Sequence, residues 1–126
     1  MRYSRQRELI LKKVNAMHNH PTAEEIYEAA GKESPGLSLG TVYRNLNLLA
    51  EAGLIRRVSI PGKADRFDHT LCSHSHRCCV KCGKVEDIAL NDAKIRELVR
   101  QGDDTAEDYS LVVFGTCAEC RKKAAV

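Results

Sequence analysis

The chain has no tryptophan and only four tyrosines and two phenylalanines in 126 residues, which argues against binding of single strands by aromatic stacking. No run approaches the roughly 20 apolar residues that a membrane-spanning helix needs. The N-terminal MRYSRQRE lacks the apolar stretch of a signal peptide, and a cytoplasmic protein is expected. There is no Gly-rich phosphate loop, no Ser/His/Asp set and no paired-carboxylate signature, so hydrolysis and phosphate chemistry have no support and no enzyme is expected. Cysteine is missing from the first 71 residues. All six cysteines follow: Cys72, Cys78, Cys79, Cys82, Cys117 and Cys120.

What is present is unevenly spread. The formal net charge of +3 sits wholly in residues 1–69, densest at Arg2, Arg5, Arg7, Lys12 and Lys13, while residues 70–126 are balanced. That is a modest anion-binding signal, equally compatible with a solvated positive face. Residues 4–17 have helical spacing, with Ile10, Val14 and Met17 on one face and Ser4 as N-cap. Thr22 and Glu25 form a capping box that opens a second helix, with Ile26 and Ala30 inward and Gly31 as its stop. Ser38 caps a third helix over 39–52, with Val42, Leu46 and Leu49 in an apolar stripe. Strands at 54–60 and 65–69 follow, joined by Pro61-Gly62-Lys63-Ala64. Three short helices and a basic hairpin make the layout of a winged helix-turn-helix.

In that layout the third helix reads DNA. Gly40, Tyr43, Arg44 and Asn47 lie off its apolar stripe. Arginine pairs with guanine and asparagine with adenine, and Gly40 lets the helix N-terminus approach a phosphate. Arg56, Arg57 and Lys63 of the wing face the DNA backbone. Winged helices also serve as protein-interaction modules, and charge and pattern alone leave that choice open.

The second half reads as two short strands in 76–90 joined at Cys82-Gly83-Lys84, a helix over 91–101 capped by Asn91 with Ile95, Leu98 and Val99 inward, and a strand at 109–115. A domain this small needs a staple or a partner chain. The staple is legible: Cys79/Cys82 and Cys117/Cys120 are matched Cys-x-x-Cys pairs, the donor set of a structural zinc. A zinc-bound or free thiol redox protein is the rival reading. A second metal signal is His74-Ser75-His76, whose imidazoles share one side of an extended strand. His20, Asp68 and Asp87, each taken alone, read as surface residues. Together with the histidine pair they would form a nitrogen and oxygen site suited to Fe²⁺ or Mn²⁺, with Zn²⁺ also acceptable.

The segments HPTAEEIY (20–27), TVYRNL (41–46), RFD (66–68), HSHRCCVKCGKVEDI (74–88) and CAEC (117–120), in this order, resemble the ferric-uptake-regulator family of metal-dependent repressors. The resemblance implies an α+β chain: a winged-helix DNA-binding domain at 1–69, a hinge at 70–73 and a small α/β dimerisation domain at 74–126. It implies a homodimer on palindromic operator DNA, structural zinc on Cys79, Cys82, Cys117 and Cys120, and a regulatory Fe²⁺ or Mn²⁺ on His20, Asp68, His74, His76 and Asp87. Aspartate at 68 and 87 is similar to the peroxide-sensing branch, in which iron-catalysed oxidation of a ligand histidine, here His20 or His74, releases DNA. An iron- or zinc-responsive repressor without peroxide sensing is the alternative within the family. Cys72, Cys78, His18 and His69 are additions to the family pattern.

Overall fold

A computed structural model describes residues 2–71 and 75–124, with side chains from residue 5 to 71 and from 75 to 123. The chain divides into two compact units, Met1–Leu71 and Cys72–Val126. His74 and Cys72 lie outside the described residues.

The first unit contains α1 (Arg2–Ala16), α2 (Ala23–Gly31), α3 (Leu39–Glu51), β1 (Arg56–Val58) and β2 (Arg66–Asp68). The starts of α2 and α3 follow local chemistry, whereas α1 already begins at Arg2, so Ser4 lies inside that helix instead of capping it. Thr22 accepts from the Glu25 amide while the Glu25 side chain returns to the Thr22 amide, so two orphan donors are satisfied together. At the start of α3 the Ser38 hydroxyl accepts from the Thr41 amide, a single cap without the reciprocal bond. Ile10 and Val14 of α1, Ile26 and Ala30 of α2, and Val42, Leu46 and Leu49 of α3 bury against one another with Leu37, Ile55 and Phe67. Met17, expected on the inner face of α1, packs at the edge of that core.

The strands are shorter than their apolar runs. Leu54 donates to the Leu49 carbonyl and so still belongs to the helix exit, and the reversal at Gly62 uses a φ of +76° that a side chain would strain. β1 and β2 are antiparallel, with Arg57 opposite Phe67. The outer side of β2 is also paired: Thr22 bridges Arg66, and the Phe67 amide donates to Pro21 at 2.9 Å. The three helices and the hairpin form a winged helix-turn-helix.

The second unit contains β3 (Ser75–Cys79), β4 (Val85–Asp87), α4 (Asp92–Gly102), β5 (Leu111–Gly115) and α5 (Ala118–Ala124). Its sheet runs β4-β3-β5, with β3 antiparallel to β4 and parallel to β5. Asn91 caps α4 as expected. The expected inward face of α4 needs correction: Ile95 and Val99 are half-buried and Leu98 is 64% exposed. The amphipathic spacing is real, but the described residues of this unit supply nothing to bury Leu98. α5 went unforeseen, although Ala, Glu, Arg and Lys are all good helix formers.

Truncating Leu46 to alanine should cost about 2–5 kcal/mol, because the side chain is fully buried between helices. Leu48→Ala on the exposed side of the same helix should change stability by less than about 0.5 kcal/mol. Urea unfolding of the two variants checks the contrast.

Candidate functional site

The four cysteines of the two Cys-x-x-Cys pairs converge in the second unit. Each offers a sulfur within 4.8 Å of the others. The Cys82 and Cys117 sulfurs are 3.8 Å apart, far beyond the roughly 2.05 Å of a disulfide. Thiolates bound tetrahedrally at about 2.3 Å lie roughly 3.8 Å from one another, so the spacing and the donor set fit zinc. Local backbone builds the arrangement. Gly83 takes a φ of +81° and returns its amide to the Cys79 carbonyl at 2.9 Å, which closes the first knuckle. The second pair spans the entry to α5, where Arg121 donates to the Cys117 carbonyl.

The amides of Cys117 and Lys81 point at the Cys79 sulfur, at 3.3 and 3.4 Å. The Cys117 amide, followed by that of Cys82, brings the Cys79 thiol down to about 5 against the opposing effect of burial. Cys120, hydrogen-bonded to the Cys117 sulfur and desolvated, is pushed up to about 12. Cation binding to the cluster would displace the proton that Cys120 retains. Cys78 is buried one residue before Cys79 on the same strand. Alternation along a strand sends its side chain to the opposite face, so it does not compete for the ion.

Histidine and aspartate meet twice, once in each unit. In the first, the pairing of Pro21 and Thr22 with β2 carries His20 alongside Asp68. The His20 Nε2 lies 3.2 Å from Asp68 Oδ2, with both side chains 5% exposed. His20 has a φ of +55° immediately before Pro21, in the left-handed region that non-glycine residues seldom adopt. Arg66 Nη1 donates to the His20 carbonyl at 3.2 Å and holds this conformation. Burial pushes the Asp68 carboxyl up. The hydrogen bond from His20, the Thr70 amide and the nearby His20 and His69 outweigh it, leaving Asp68 below the usual carboxylate range. In the second unit the register of β3 and β4 sets His76 directly opposite Asp87. The fully buried His76 Nε2 lies 3.1 Å from Asp87 Oδ1, and Asp87 is 46% exposed. Both pairs consist of imidazole nitrogen and carboxylate oxygen, a donor set that suits Fe²⁺ or Mn²⁺ better than the sulfur cluster does.

Gly40, Tyr43, Arg44 and Asn47 all lie on the exposed side of α3, and Lys63 is exposed at the tip of the hairpin. The two wing arginines have other engagements. Arg57 hydrogen-bonds to the Asn47 side-chain oxygen, pairs with Asp65 at 3.6 Å and stands over the Phe67 ring. Arg56 donates to the Leu71 carbonyl at 3.3 Å. Sequence reasoning missed Asn45, a buried residue that accepts from Arg7 and donates to the Thr41 carbonyl. It also missed Arg66 as the support of His20. Asn45 carried no signal beyond its place on the apolar side of α3, whereas Arg66 stood in the RFD segment.

Residues 1–113 match the Ferric uptake regulator family. The peroxide-responsive repressor PerR of Staphylococcus aureus is 31% identical over 125 residues, which is 98% of this chain and 84% of that protein. The Campylobacter jejuni peroxide stress regulator has a similar structure, with a TM-score of 0.75 at 32% identity over 94% of this chain and 91% of the other. The Helicobacter pylori ferric uptake regulator Fur, whose structure is described as revealing three functional metal binding sites, gives a TM-score of 0.78 at 25% identity over 93% and 80%.

Replacing Cys82 with serine should weaken zinc retention at least about tenfold, read as zinc per chain after mild chelation. Cys78→Ser should leave the zinc content unchanged.

Proposed function

The chain belongs to the ferric uptake regulator family, and from that premise we propose that it is a homodimeric, metal-dependent repressor of palindromic operator DNA that senses hydrogen peroxide. Membership makes it a metal-responsive transcription regulator rather than an enzyme. The finer reading rests on one observation: each unit sets a buried imidazole against a carboxylate, apart from the sulfur cluster.

In this reading His20 and Asp68 of the first unit and His74, His76 and Asp87 of the second hold one Fe²⁺ or Mn²⁺, while Cys79, Cys82, Cys117 and Cys120 hold a structural zinc. Donors from both sides of residues 69–73 tie the units into the arrangement that fits DNA, a shift of population rather than a refolding. Gly40, Tyr43, Arg44 and Asn47 then meet the major groove, and Lys63 and Arg57 the phosphates. Arg57, anchored on Asn47 and Asp65, also fixes the wing against α3. Leu98, Val113 and Phe114 of α4 and the sheet edge β5 are exposed apolar groups, and a second copy covering them supports the dimer. Dimer symmetry would set the spacing of two reading helices to that of a palindrome.

Bound ferrous iron would supply the reduction of peroxide that puts one oxygen atom on a ligand imidazole. His20 is suited to be lost in this way. Its backbone is held in the left-handed region and its Nε2 is committed to Asp68, so a modified ring has no second position from which to serve. The similarity to a peroxide-responsive repressor and to a peroxide stress regulator supports the assignment.

His20→Ala should reduce metal-dependent DNA binding at least about tenfold, as expected for loss of a ligand, and leave the zinc content and the dimer intact; gel shifts and sedimentation measure both. Iron-loaded protein treated with peroxide should gain one oxygen atom on His20 or His74 by mass spectrometry and release DNA, while the manganese form stays unmodified. DNA release with both histidines unmodified would turn the reading toward cysteine oxidation, and repression by iron or zinc that peroxide leaves untouched would make the chain a plain metal regulator.

A further inference from the structure

Two asparagines of α3 are held by arginines from outside the helix, and they are left in different states. Asn45 is buried and saturated: its Oδ1 accepts from Arg7 Nε at 3.3 Å, and its Nδ2 donates to the Thr41 carbonyl at 3.0 Å. Asn47 is exposed, and Arg57 Nη2 of the wing donates to its Oδ1. A guanidinium carries donors only, so the amide atom it meets is the oxygen. The pairing therefore orients the Asn47 amide. Its oxygen is engaged, and its NH₂ group is the part left to meet a ligand.

Arg57 is itself fixed in place. Its Nε pairs with Asp65 Oδ2 at 3.6 Å, and its guanidinium stands 5.9 Å from the centre of the buried Phe67 ring, the residue opposite it in the β1–β2 register. The Arg57 side chain is nonetheless 39% exposed. Its remaining N–H groups thus lie beside Asn47 at the surface, between α3 and the wing.

We infer that the Arg57–Asn47 pair makes α3 read guanine, rather than adenine, at the base that Asn47 meets. This rests on the proposed DNA-binding reading and adds the class of base to it. Adenine shows an acceptor, N7, and a donor, the N6 amino group, in the major groove, and an unrestrained asparagine matches them with Nδ2 and Oδ1 together. Here a guanidinium already sits at Oδ1. An adenine amino group brought to that oxygen meets positively charged N–H groups, donor against donor. Guanine shows two acceptors, N7 and O6. The Asn47 NH₂ group and the Arg57 N–H groups beside it form an all-donor edge that matches them. Arg57 is then a positioning residue for Asn47 in addition to its proposed phosphate contact, and the wing reverses the preference that the asparagine alone would have.

The test is selection from a pool of duplexes of random sequence by the zinc-loaded full chain with Mn²⁺ supplied, followed by sequencing. Asn47→Ala should relax the preference at one position of each half-site. In the unsubstituted chain that position should carry guanine over adenine by at least about fivefold. Arg57→Met keeps an aliphatic stem over Phe67 and frees the Asn47 oxygen, so the preference there should move to adenine. Arg57→Lys, which still offers only donors, should keep guanine. Adenine at that position in the unsubstituted chain overturns the inference, as do unchanged preferences in Asn47→Ala. An Arg57→Met chain that binds every sequence more weakly with its preference unaltered also overturns it, because that is the behaviour of a phosphate contact alone. A pool in which no sequence is enriched overturns the DNA-binding reading itself, and the inference with it.

Discussion

The architecture turns on the cost of burying a polar ring. Imidazoles seldom lie at 5% exposure or less in so small a core without a strong partner. Here each is set against a carboxylate, His20 against Asp68 and His76 against Asp87. Both placements are made by backbone pairing. Thr22 bridges Arg66 and Pro21 accepts from Phe67, so the loop carrying His20 is stitched to the strand carrying Asp68. The β3–β4 register does the same for His76 and Asp87. The strained φ at His20 shows that this placement overrides local preference.

The two units are stabilised by different means. The first has an ordinary core, with Phe67, Ile10, Ile26, Leu46 and Leu49 shielded from solvent. Among its described residues the second buries little beyond Val85, Ser75, His76 and three of its cysteines, and leaves Leu98, Val113 and Phe114 exposed. A sheet this small gains its rigidity from cross-links rather than from apolar burial. The sulfur cluster joins the β3–β4 turn to the entry of α5, and so fixes the strand that carries His76. In the proposed reading a structural metal and a regulatory one, chosen by different donor chemistry, would support each other along one strand.

Much of this was legible in the chain. Thr22 with Glu25, Ser38, Asn91 and the two Cys-x-x-Cys pairs are local signals, and each does in the structure what local chemistry requires. The strand ends were not legible, because the helix exit at Leu54 and the turn at Gly62 consume residues whose apolar character resembles strand. Leu98 misled because an amphipathic stripe tells which face is apolar and not which molecule covers it. Most of all, the nearness of His20 to Asp68 depends on a contact between residues 46 apart, Pro21 and Phe67, for which no spacing rule exists. Only the ordered run of segments from HPTAEEIY to RFD pointed there. The engagement of Arg57 with Asn47 had no sequence signal at all.

The central claim is that one ion draws ligands from both units. A crystal structure of the manganese-loaded full chain, with the ion located by its anomalous scattering, tests it most directly. The account predicts a manganese peak with nitrogen and oxygen ligands at roughly 2.0–2.3 Å, contributed by His20 and Asp68 together with His76 and Asp87. A manganese ion held by donors of only one unit, with the other unit's imidazole and carboxylate still paired to each other, would contradict it.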